Sequence, residues 1–250
     1  MREVSTYRKT RNRLNEESLS TLTKYQDEVV GKRGKVALVY HEIVVSCFGN
    51  FPGGFGYVLR SIFYKRLLRL MGKGVILGKD INLRCPNRIQ LGNRVAADGG
   101  CLIDARGGGE IGIIIGEDVI IGRHSAIQAK NGSIQIGKKT NIGPQCVISA
   151  NNSVTLGEEL LIGAFCYIGG GLYHSERTDI PMVRQGMYSK GPLIIEDDVW
   201  LGAGSIVLDG IHVGRGCIVG AGSVVTRNLP EYSVAVGTPA KVIRERNIRL

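Results

Sequence analysis

Residues 201–225 read LGAGSIVLDGIHVGRGCIVGAGSVV, and an aliphatic side chain recurs in them at every sixth position. A glycine usually follows, as in Leu201-Gly202, Val213-Gly214 and Val219-Gly220. Three such hexads make one triangular coil whose aliphatic side chains stack inward. Because the same hexads run upstream, the sequence predicts a mainly β fold, a parallel β-helix. The aliphatic positions of the repeat are Leu91, Ile115, Ile121, Ile136, Ile142, Leu156, Ile162, Leu201, Val207, Val213, Val219 and Val225.

The composition agrees with a tightly coiled, glycine-punctuated repeat. The chain has 250 residues, of which 36 are glycine and one is tryptophan, and 6% are aromatic. A β-sandwich or a doubly wound sheet needs more large side chains than this. The first 35 residues are polar, and the longest apolar stretch is interrupted by polar residues and proline, so neither a signal peptide nor a transmembrane helix is predicted. We therefore expect a cytoplasmic protein.

The positive charge of the chain is concentrated near its N-terminus. Residues 1–75 carry 14 Lys/Arg and 6 Asp/Glu, a net charge of +8, whereas residues 76–250 carry 18 and 16, a net charge of +2. Residues 1–35 are expected to form a mobile or weakly helical arm, of which residues 1–17 lie outside the part of the chain that the structure describes. The basic excess is therefore a property of the N-terminal region and not of the repeat.

A basic amphipathic helix is predicted over residues 57–72. At 100° per residue, its cations gather on one arc and its apolar side chains on the opposite arc. Such a helix would suit an anionic membrane surface such as the inner face of the cell membrane, and it would equally suit a brace across a trimer with its charges in solvent. The cations are Lys65, Arg66 and Arg69, and the apolar residues are Leu59, Phe63, Leu67 and Leu70.

Three of the six cysteines follow the register of the repeat. Cys146, Cys166 and Cys217 each lie four places after a hexad aliphatic residue, where other hexads carry serine. A metal site or a disulfide framework would need clustered spacing, which these cysteines do not have. We therefore predict reduced structural thiols at one small inward position of the coil.

Three segments carry a resemblance to a known family. They are IEDDVWLGAGS at 195–205, VGAGSVV at 219–225 and VGTPAKVIR at 236–244. In this order they resemble the CoA-binding half of the hexapeptide-repeat acyltransferases, which include bacterial polysaccharide and sugar O-acetyltransferases. The resemblance implies left-handed crossovers, a homotrimer with active sites between subunits, and acetyl-CoA as the donor. It divides the chain into a partly helical N-terminal extension (1–74), a β-helix domain (75–237) and a short C-terminal tail (238–250).

One histidine interrupts the repeat. Counting from Ile168, the next hexad position is His174, after which residues 175–191 leave the coil. In the resembled family, a histidine at this boundary takes the proton of the acceptor, and imidazole titrates near working pH. The glycines at 169–171 are expected to leave room for substrate. The partner that orients His174 stays open among Glu158, Glu159, Glu176, Asp179 and a backbone carbonyl.

The resemblance also implies a binding site for the donor. Small residues would let a pantetheine arm lie along the coil edge, and the N–H of Gly202 is the candidate oxyanion donor. Trp200 either walls this slot or packs in the core. Basic residues after the last coil are placed to meet the phosphates of CoA, or form a solvated basic tail. The predicted cofactor-binding residues are Trp200, Gly202, Ala203, Gly220, Ala221, Arg227, Lys241 and Arg244.

No sequence motif identifies the acceptor. A sugar hydroxyl of a cell-surface polysaccharide or a lipid-linked saccharide is expected, and an amino sugar or an antibiotic is the alternative. A zinc-dependent carbonic anhydrase of the same fold would need three converging histidines, whereas His41, His124, His174 and His212 are widely spaced, so no metal is expected. A non-catalytic scaffold or a nucleic-acid binder is disfavoured, because the repeat is close to neutral and poor in aromatic residues.

Overall fold

The computed structural model describes residues 18–107 and 109–246, and its main body is a left-handed parallel β-helix. Three parallel sheets form the three faces of a triangular prism, and the chain visits each face once per coil. The predicted fold class is therefore confirmed. Every hexad aliphatic residue named above is buried, as the inward stacking requires.

The strands, numbered in chain order, follow one another from face to face. The first face contains β1 (Leu70–Met71), β4 (Ile89–Leu91), β7 (Ile113–Ile115), β10 (Ser133–Ile136), β13 (Ser153–Leu156), β18 (Leu193–Ile195) and β21 (His212–Val213). The second face contains β2 (Ile76–Leu77), β5 (Ala96–Ala97), β8 (Ile120–Ile121), β11 (Asn141–Ile142), β14 (Leu161–Ile162), β19 (Trp200–Leu201), β22 (Ile218–Val219), β24 (Ser233–Gly237) and β25 (Ala240–Glu245). The third face contains β3 (Asn82–Arg84), β6 (Leu102–Asp104), β9 (Ala126–Ala129), β12 (Val147–Ala150), β15 (Tyr167–Gly170), β20 (Ile206–Leu208) and β23 (Val224–Val225).

Both ends of the β-helix differ from the predicted boundaries. The first coil begins at Leu70, which pairs with Gln90, and not at residue 75. At the other end, β25 turns back antiparallel along β24, so residues 240–245 belong to the second face and are not a free tail. Arg246 fixes this hairpin through bonds from its Nη1 to Asp198 Oδ2 and to Gly216 O, each 2.8 Å long.

The N-terminal region packs short helices on the first coils. Helices run over Thr21–Tyr25, Lys35–Phe48 and Gly53–Phe63, with a π-helical turn at Gln26–Val30 and 3₁₀ turns at Tyr64–Arg66 and Pro86–Arg88. The predicted helix over 57–72 is therefore wrong in its bounds, because the α-helix ends at Phe63 and Leu70 enters the first face. The predicted apolar arc is wrong as well, since Leu67 is buried whereas Leu70 is exposed. No helix within the described residues is long and apolar enough to cross a membrane.

Arg60 joins the helices to the β-helix. Its side chain is 1% exposed, and its Nε donates to Leu77 O at 2.8 Å. Its Nη1 donates to Phe51 O at 2.9 Å and to Phe48 O at 3.1 Å, carbonyls that follow the helix Lys35–Phe48 or end it. Because buried carbonyls need donors, this one guanidinium fixes the link between the two helices against the first coil.

The inward position of the coil is occupied by cysteine and serine, as predicted. Cys146 Sγ donates to Gly163 O at 3.0 Å, and Ser125 Oγ makes the matching bond to Gly143 O at 3.0 Å. Each side chain thus bonds a turn carbonyl of the coil above. All six cysteines are free thiols, and Cys47 alone among them is exposed.

This arrangement predicts the thiol reactivity of the native protein. We expect one fast-reacting thiol, Cys47, in a titration with a disulfide reagent, and six after unfolding in guanidinium. Burial raises the pKa of the Cys85 thiol to about 11, which keeps it protonated and unreactive at neutral pH. Cys47→Ser should abolish the fast phase, and two or more fast thiols would contradict the buried positions.

Candidate functional site

The interruption of the repeat is a β-hairpin with a short helix at its tip. The hairpin pairs β16 (Leu172–Tyr173) antiparallel with β17 (Met187–Tyr188), and the helix spans Met182–Gln185. The chain thus leaves the coil after Gly170 and returns at β18, which corrects the prediction that His174 holds a coil position. His174 instead follows β16, and its N–H donates to Gly186 O at 3.1 Å.

Backbone conformation and the close packing of the coils explain why glycines precede the hairpin. Gly169 and Gly170 have φ of +97° and +102°, a region that other residues rarely adopt. A Cβ on Gly169 would lie 2.2 Å from Ser149 O of the coil below. These glycines therefore permit the turn out of the coil and close stacking on it. The expectation that they leave room for substrate is wrong for Gly169, which is buried.

The imidazole of His174 is half exposed and held from two sides. Its Nδ1 lies 3.6 Å from Glu176 Oε2, and its ring lies 4.6 Å from the ring of Tyr188, centroid to centroid. With Nδ1 facing the carboxylate, Nε2 is left as the ring nitrogen that can accept a proton from a bound acceptor. The hairpin therefore presents one imidazole in a defined orientation.

The structure selects one of the four carboxylates that the sequence left open. Glu158 pairs with Lys138 at 3.1 Å, Glu159 pairs with Lys139 at 3.1 Å, and Asp179 pairs with Arg177. Glu176 alone among the four lies beside the imidazole. Tyr188 was missed by the sequence argument, because its contact with His174 arises from hairpin pairing that no repeat signals.

Gln185 makes hydrogen bonds that close the tip of the hairpin. Its Nε2 donates to Arg177 O at 2.7 Å and to Ile180 O at 3.1 Å, and its Oε1 accepts from the Arg177 N–H at 3.1 Å. These bonds close the segment between His174 and β17. The loop is thus an ordered platform beside the imidazole.

The small residues of the predicted donor slot stack at the corner between the second and third faces. A Cβ on Gly202 would lie 2.5 Å from Ala221 N, so only glycine fits between these coils. The Gly202 N–H donates to Val219 O at 2.8 Å and is buried, which corrects its assignment as oxyanion donor. The N–H groups of Ala203 and Ala221 donate to no acceptor within the described residues, and both residues are exposed. They are the backbone donors that this corner offers to a ligand.

Trp200 lies beside this corner at the start of β19. It is 52% exposed, so it does not pack in the core. It belongs to an outward column of the second face, in register with Leu161 on one side and Ile218 on the other. The tryptophan is therefore a surface residue available to a ligand or to a second subunit.

The three predicted cations do not lie close together within one subunit. Lys241 pairs with Val236, whose side chain packs on Gly220, so Lys241 lies near the slot. Arg244 lies further along β25, opposite Val234, and bonds the carbonyl of Glu245 at 3.2 Å. Arg227 follows β23 and lies at the other end of the third face from Ala221.

His174 and the slot also lie at different corners of the prism. The hairpin leaves the third face after Gly170. In the neighbouring coil, Gly170 lies next to the residue that follows Leu208, at the end of β20, whereas Ala203 lies before the start of β20. The three residues of β20 and the turns on either side of it separate these two corners, and the strand alone spans about 10 Å at roughly 3.3 Å per residue. One subunit therefore does not join the imidazole to the slot.

The sequence of the coils that carry the slot is similar to that of known proteins. The family described as "Hexapeptide repeat of succinyl-transferase" matches residues 192–227, the coils that carry the slot. These matched residues carry hexapeptide repeats. The predicted resemblance to the acyltransferases of this kind is thereby confirmed.

Several relatives of this chain are acetyltransferases by name. It is 37% identical to a probable acetyltransferase of Mycobacterium tuberculosis over 54% of this chain and 44% of the relative. It is 53% identical to a 2,3,4,5-tetrahydropyridine-2,6-dicarboxylate N-acetyltransferase of Staphylococcus aureus over 23% of this chain and 24% of the relative. The matched region thus spans less than half of either relative.

Two solved structures share the fold of this chain. The polySia-specific acetyltransferase NeuO superposes with a TM-score of 0.56 at 21% identity, covering 72% of this chain and 86% of that one. A mutant of AntD, an N-acyltransferase from Bacillus cereus in complex with dTDP and coenzyme A, superposes with a TM-score of 0.52 at 21% identity, covering 74% and 88%.

The remaining histidines of the chain lie apart from His174. His124 is exposed on a turn, and His212 is exposed and bonded through Nε2 to Glu196 Oε1 at 2.8 Å. His41 is buried within the helix Lys35–Phe48, so it is not available at the surface. In the part of the chain that the structure describes, no three His, Cys, Asp or Glu side chains are grouped as a metal site would need.

Proposed function

We propose that this protein transfers an acetyl group from acetyl-CoA to a sugar hydroxyl, with His174 as general base. The observation that carries the proposal is the imidazole on the hairpin, with Nδ1 beside Glu176 and one ring face against Tyr188. The acetyltransferase relatives and the CoA complexes of structures with the same fold support it. We place the reaction in the cytoplasm, where acetyl-CoA is made.

The chemistry of the proposal rests on one proton. A hydroxyl is a poor nucleophile until its proton is removed, and His174 Nε2 accepts that proton as the acceptor oxygen attacks the thioester. Glu176 stabilises the imidazolium that forms at that step. The same proton then passes to the departing CoA sulfur, so the imidazole returns to its starting form.

The donor fits the corner where the glycines stack. Exposed Ala203 and Ala221 leave the coil edge open to a narrow chain, and their N–H groups are donors for the amide carbonyls of a pantetheine arm. Trp200 offers an apolar wall at the same edge. Lys241 supplies positive charge for the phosphates of CoA.

We further propose that the active protein is a homotrimer. The second face carries a column of exposed apolar side chains that no described residue covers: Ile76, Ile120, Leu161 and Trp200. Exposed apolar columns of this kind are typical of subunit interfaces. A second subunit at this face would also let His174 of one copy approach the slot of another, which a single copy does not achieve.

The acceptor class can be tested chemically. Labelled acetyl-CoA is incubated with the protein and panels of hydroxyl-bearing and amino-bearing saccharides, and the products are treated with mild alkali. An ester is cleaved and an amide survives, so alkali-labile product supports O-acetyl transfer. The second candidate is N-acyl transfer to an amino sugar, which is favoured by the likeness to AntD, one structure of which holds dTDP-4-amino-4,6-dideoxyglucose.

The charge on Lys241 predicts a selective effect on the donor. Lys241→Ala should raise the Michaelis constant for acetyl-CoA about tenfold and leave that for the acceptor unchanged, because an ion pair to a phosphate is lost. The effect should shrink at high salt. Lys79→Ala, an exposed lysine of the first coil, is the matched control. Equal changes in both Michaelis constants would contradict a phosphate contact.

A further inference from the structure

The helix Lys35–Phe48 presents an apolar stripe to solvent. Val36, Val39 and Ile43 lie three and four residues apart, on one face of the helix, and are 52–85% exposed. The adjoining face carries the residues that pack on the protein, including Val44 and His41, both buried. The helix thus has one face that packs against the rest of the protein and a second, apolar face that is exposed to solvent.

The next helix, Gly53–Phe63, repeats this arrangement. Phe55, Val58 and Ile62 follow the same spacing and are 53–64% exposed. Its other side holds buried Arg60 and partly buried Phe63, whose ring stacks on that of Phe48 at 4.2 Å. Two neighbouring helices therefore each leave a stripe of large apolar side chains that no described residue covers, which soluble proteins rarely do without a function.

The surroundings of these stripes are strongly basic. Residues 32–73 contain eight Lys/Arg and one Asp/Glu, Glu42. Arg33 pairs with Asp27, and Arg69 pairs with Glu110. Within the described residues, no ion pair is made by Lys32, Lys35, Lys65 or Arg66. These four cations are therefore uncompensated, and they lie in the same segment of the chain as the apolar stripes.

An open cavity is lined both by three of these cations and by a residue of the first apolar stripe. It has a volume of 480 Å³, and Lys32, Lys35 and Arg66 line it together with Val36, the first residue of the first stripe. Cations beside an apolar helix surface match the phosphate groups and acyl chains of an anionic bilayer at once.

We propose that these two helices form a membrane-docking surface that binds anionic phospholipid bilayers. The surface comprises Val36, Val39, Ile43, Phe55, Val58 and Ile62 with the cations Lys32, Lys35, Lys65 and Arg66. A bilayer is favoured over a protein partner because the cations flank the stripes without acidic residues to pair them. This surface differs from the arc predicted from sequence, of which Leu67 faces the core.

The proposal is tested by sedimentation of the full chain with vesicles at low salt. Vesicles of phosphatidylglycerol and phosphatidylcholine should retain the protein, whereas vesicles of phosphatidylcholine alone should not. Phe55→Ser/Ile62→Ser and Lys65→Glu/Arg66→Glu should each weaken retention by about tenfold or more. Added salt should release the protein from the mixed vesicles.

Matched variants separate this surface from general effects. Ile243→Ser removes an equally exposed apolar residue on β25, and Lys79→Glu/Lys130→Glu makes the same change in net charge on the coils. Both should bind vesicles as the parent does. Equal loss in the control variants, or no retention of the parent on anionic vesicles, would overturn the proposal. A smaller oligomer for Phe55→Ser/Ile62→Ser in sedimentation velocity would assign the stripes to a second copy instead.

Discussion

Replacing His174 by alanine should lower the turnover number of acetyl transfer by about 10²- to 10⁴-fold, the range expected for loss of a general base. The Michaelis constant for acetyl-CoA should stay within about threefold of the parent value, because the imidazole lies at a different corner of the subunit from the donor slot. Steady-state rates with saturating donor measure both quantities.

The matched control for this prediction is His124→Ala. His124 is an exposed histidine on a turn of the same β-helix, with no contact to the hairpin. Its loss should leave the turnover number within about threefold. A His174→Ala protein that retains parental turnover would remove His174 from the mechanism and with it the chemical part of the proposed function.

Replacing Arg60 by alanine should lower the free energy of unfolding by about 3–5 kcal/mol. The substitution removes the donor of Leu77 O and Phe51 O and one of the two donors of Phe48 O, and a buried carbonyl left unpaired costs about 1–3 kcal/mol. It also empties the space of a large buried side chain. Denaturant unfolding followed by circular dichroism measures the change.

Arg66→Ala is the control for Arg60. Arg66 is three residues past the helix, exposed and without an ion pair within the described residues, so its loss should change stability by no more than about 0.5 kcal/mol. If the two variants unfold at the same denaturant concentration, Arg60 does not join the helices to the β-helix.

The β-helix could be predicted from sequence because its signal is repeated. One hexad position, such as Val219, specifies inward packing weakly, but the same spacing over successive coils leaves one register in which all these side chains are buried. The inward cysteines followed from the same register. Local periodicity and global fold coincide here, since each coil contacts only its neighbours.

The N-terminal region could not be predicted in this way. The apolar spacing over 57–72 is helical, but residues 70–71 gain more by pairing with β4 than by continuing the helix, and tertiary contact overrides the local pattern. Arg60 was read as part of a basic region, because its partners are backbone carbonyls that leave no mark in a sequence. The burial of His41 was not predicted either, because it depends on how the helix docks.

The candidate site was predicted in part. The break in the repeat pointed to His174, whereas Tyr188 and the choice of Glu176 depend on a hairpin that periodicity does not reveal. Gly202 was assigned as a donor from the motif, but its N–H belongs to the coil's own hydrogen-bond ladder. The neighbouring Ala203 has the free N–H, and the two differ only in their place on the turn.

The most direct test of the central claim is a calorimetric titration of acetyl-CoA into the parent, Ala203→Glu and His174→Ala proteins. The proposed slot predicts saturable binding to the parent at one site per subunit. Binding should be retained in His174→Ala and lost in Ala203→Glu, where a larger anionic side chain occupies the coil edge. Absence of acetyl-CoA binding to the parent, or unchanged binding to Ala203→Glu, would contradict an acetyl-CoA-dependent transferase with its donor at this corner.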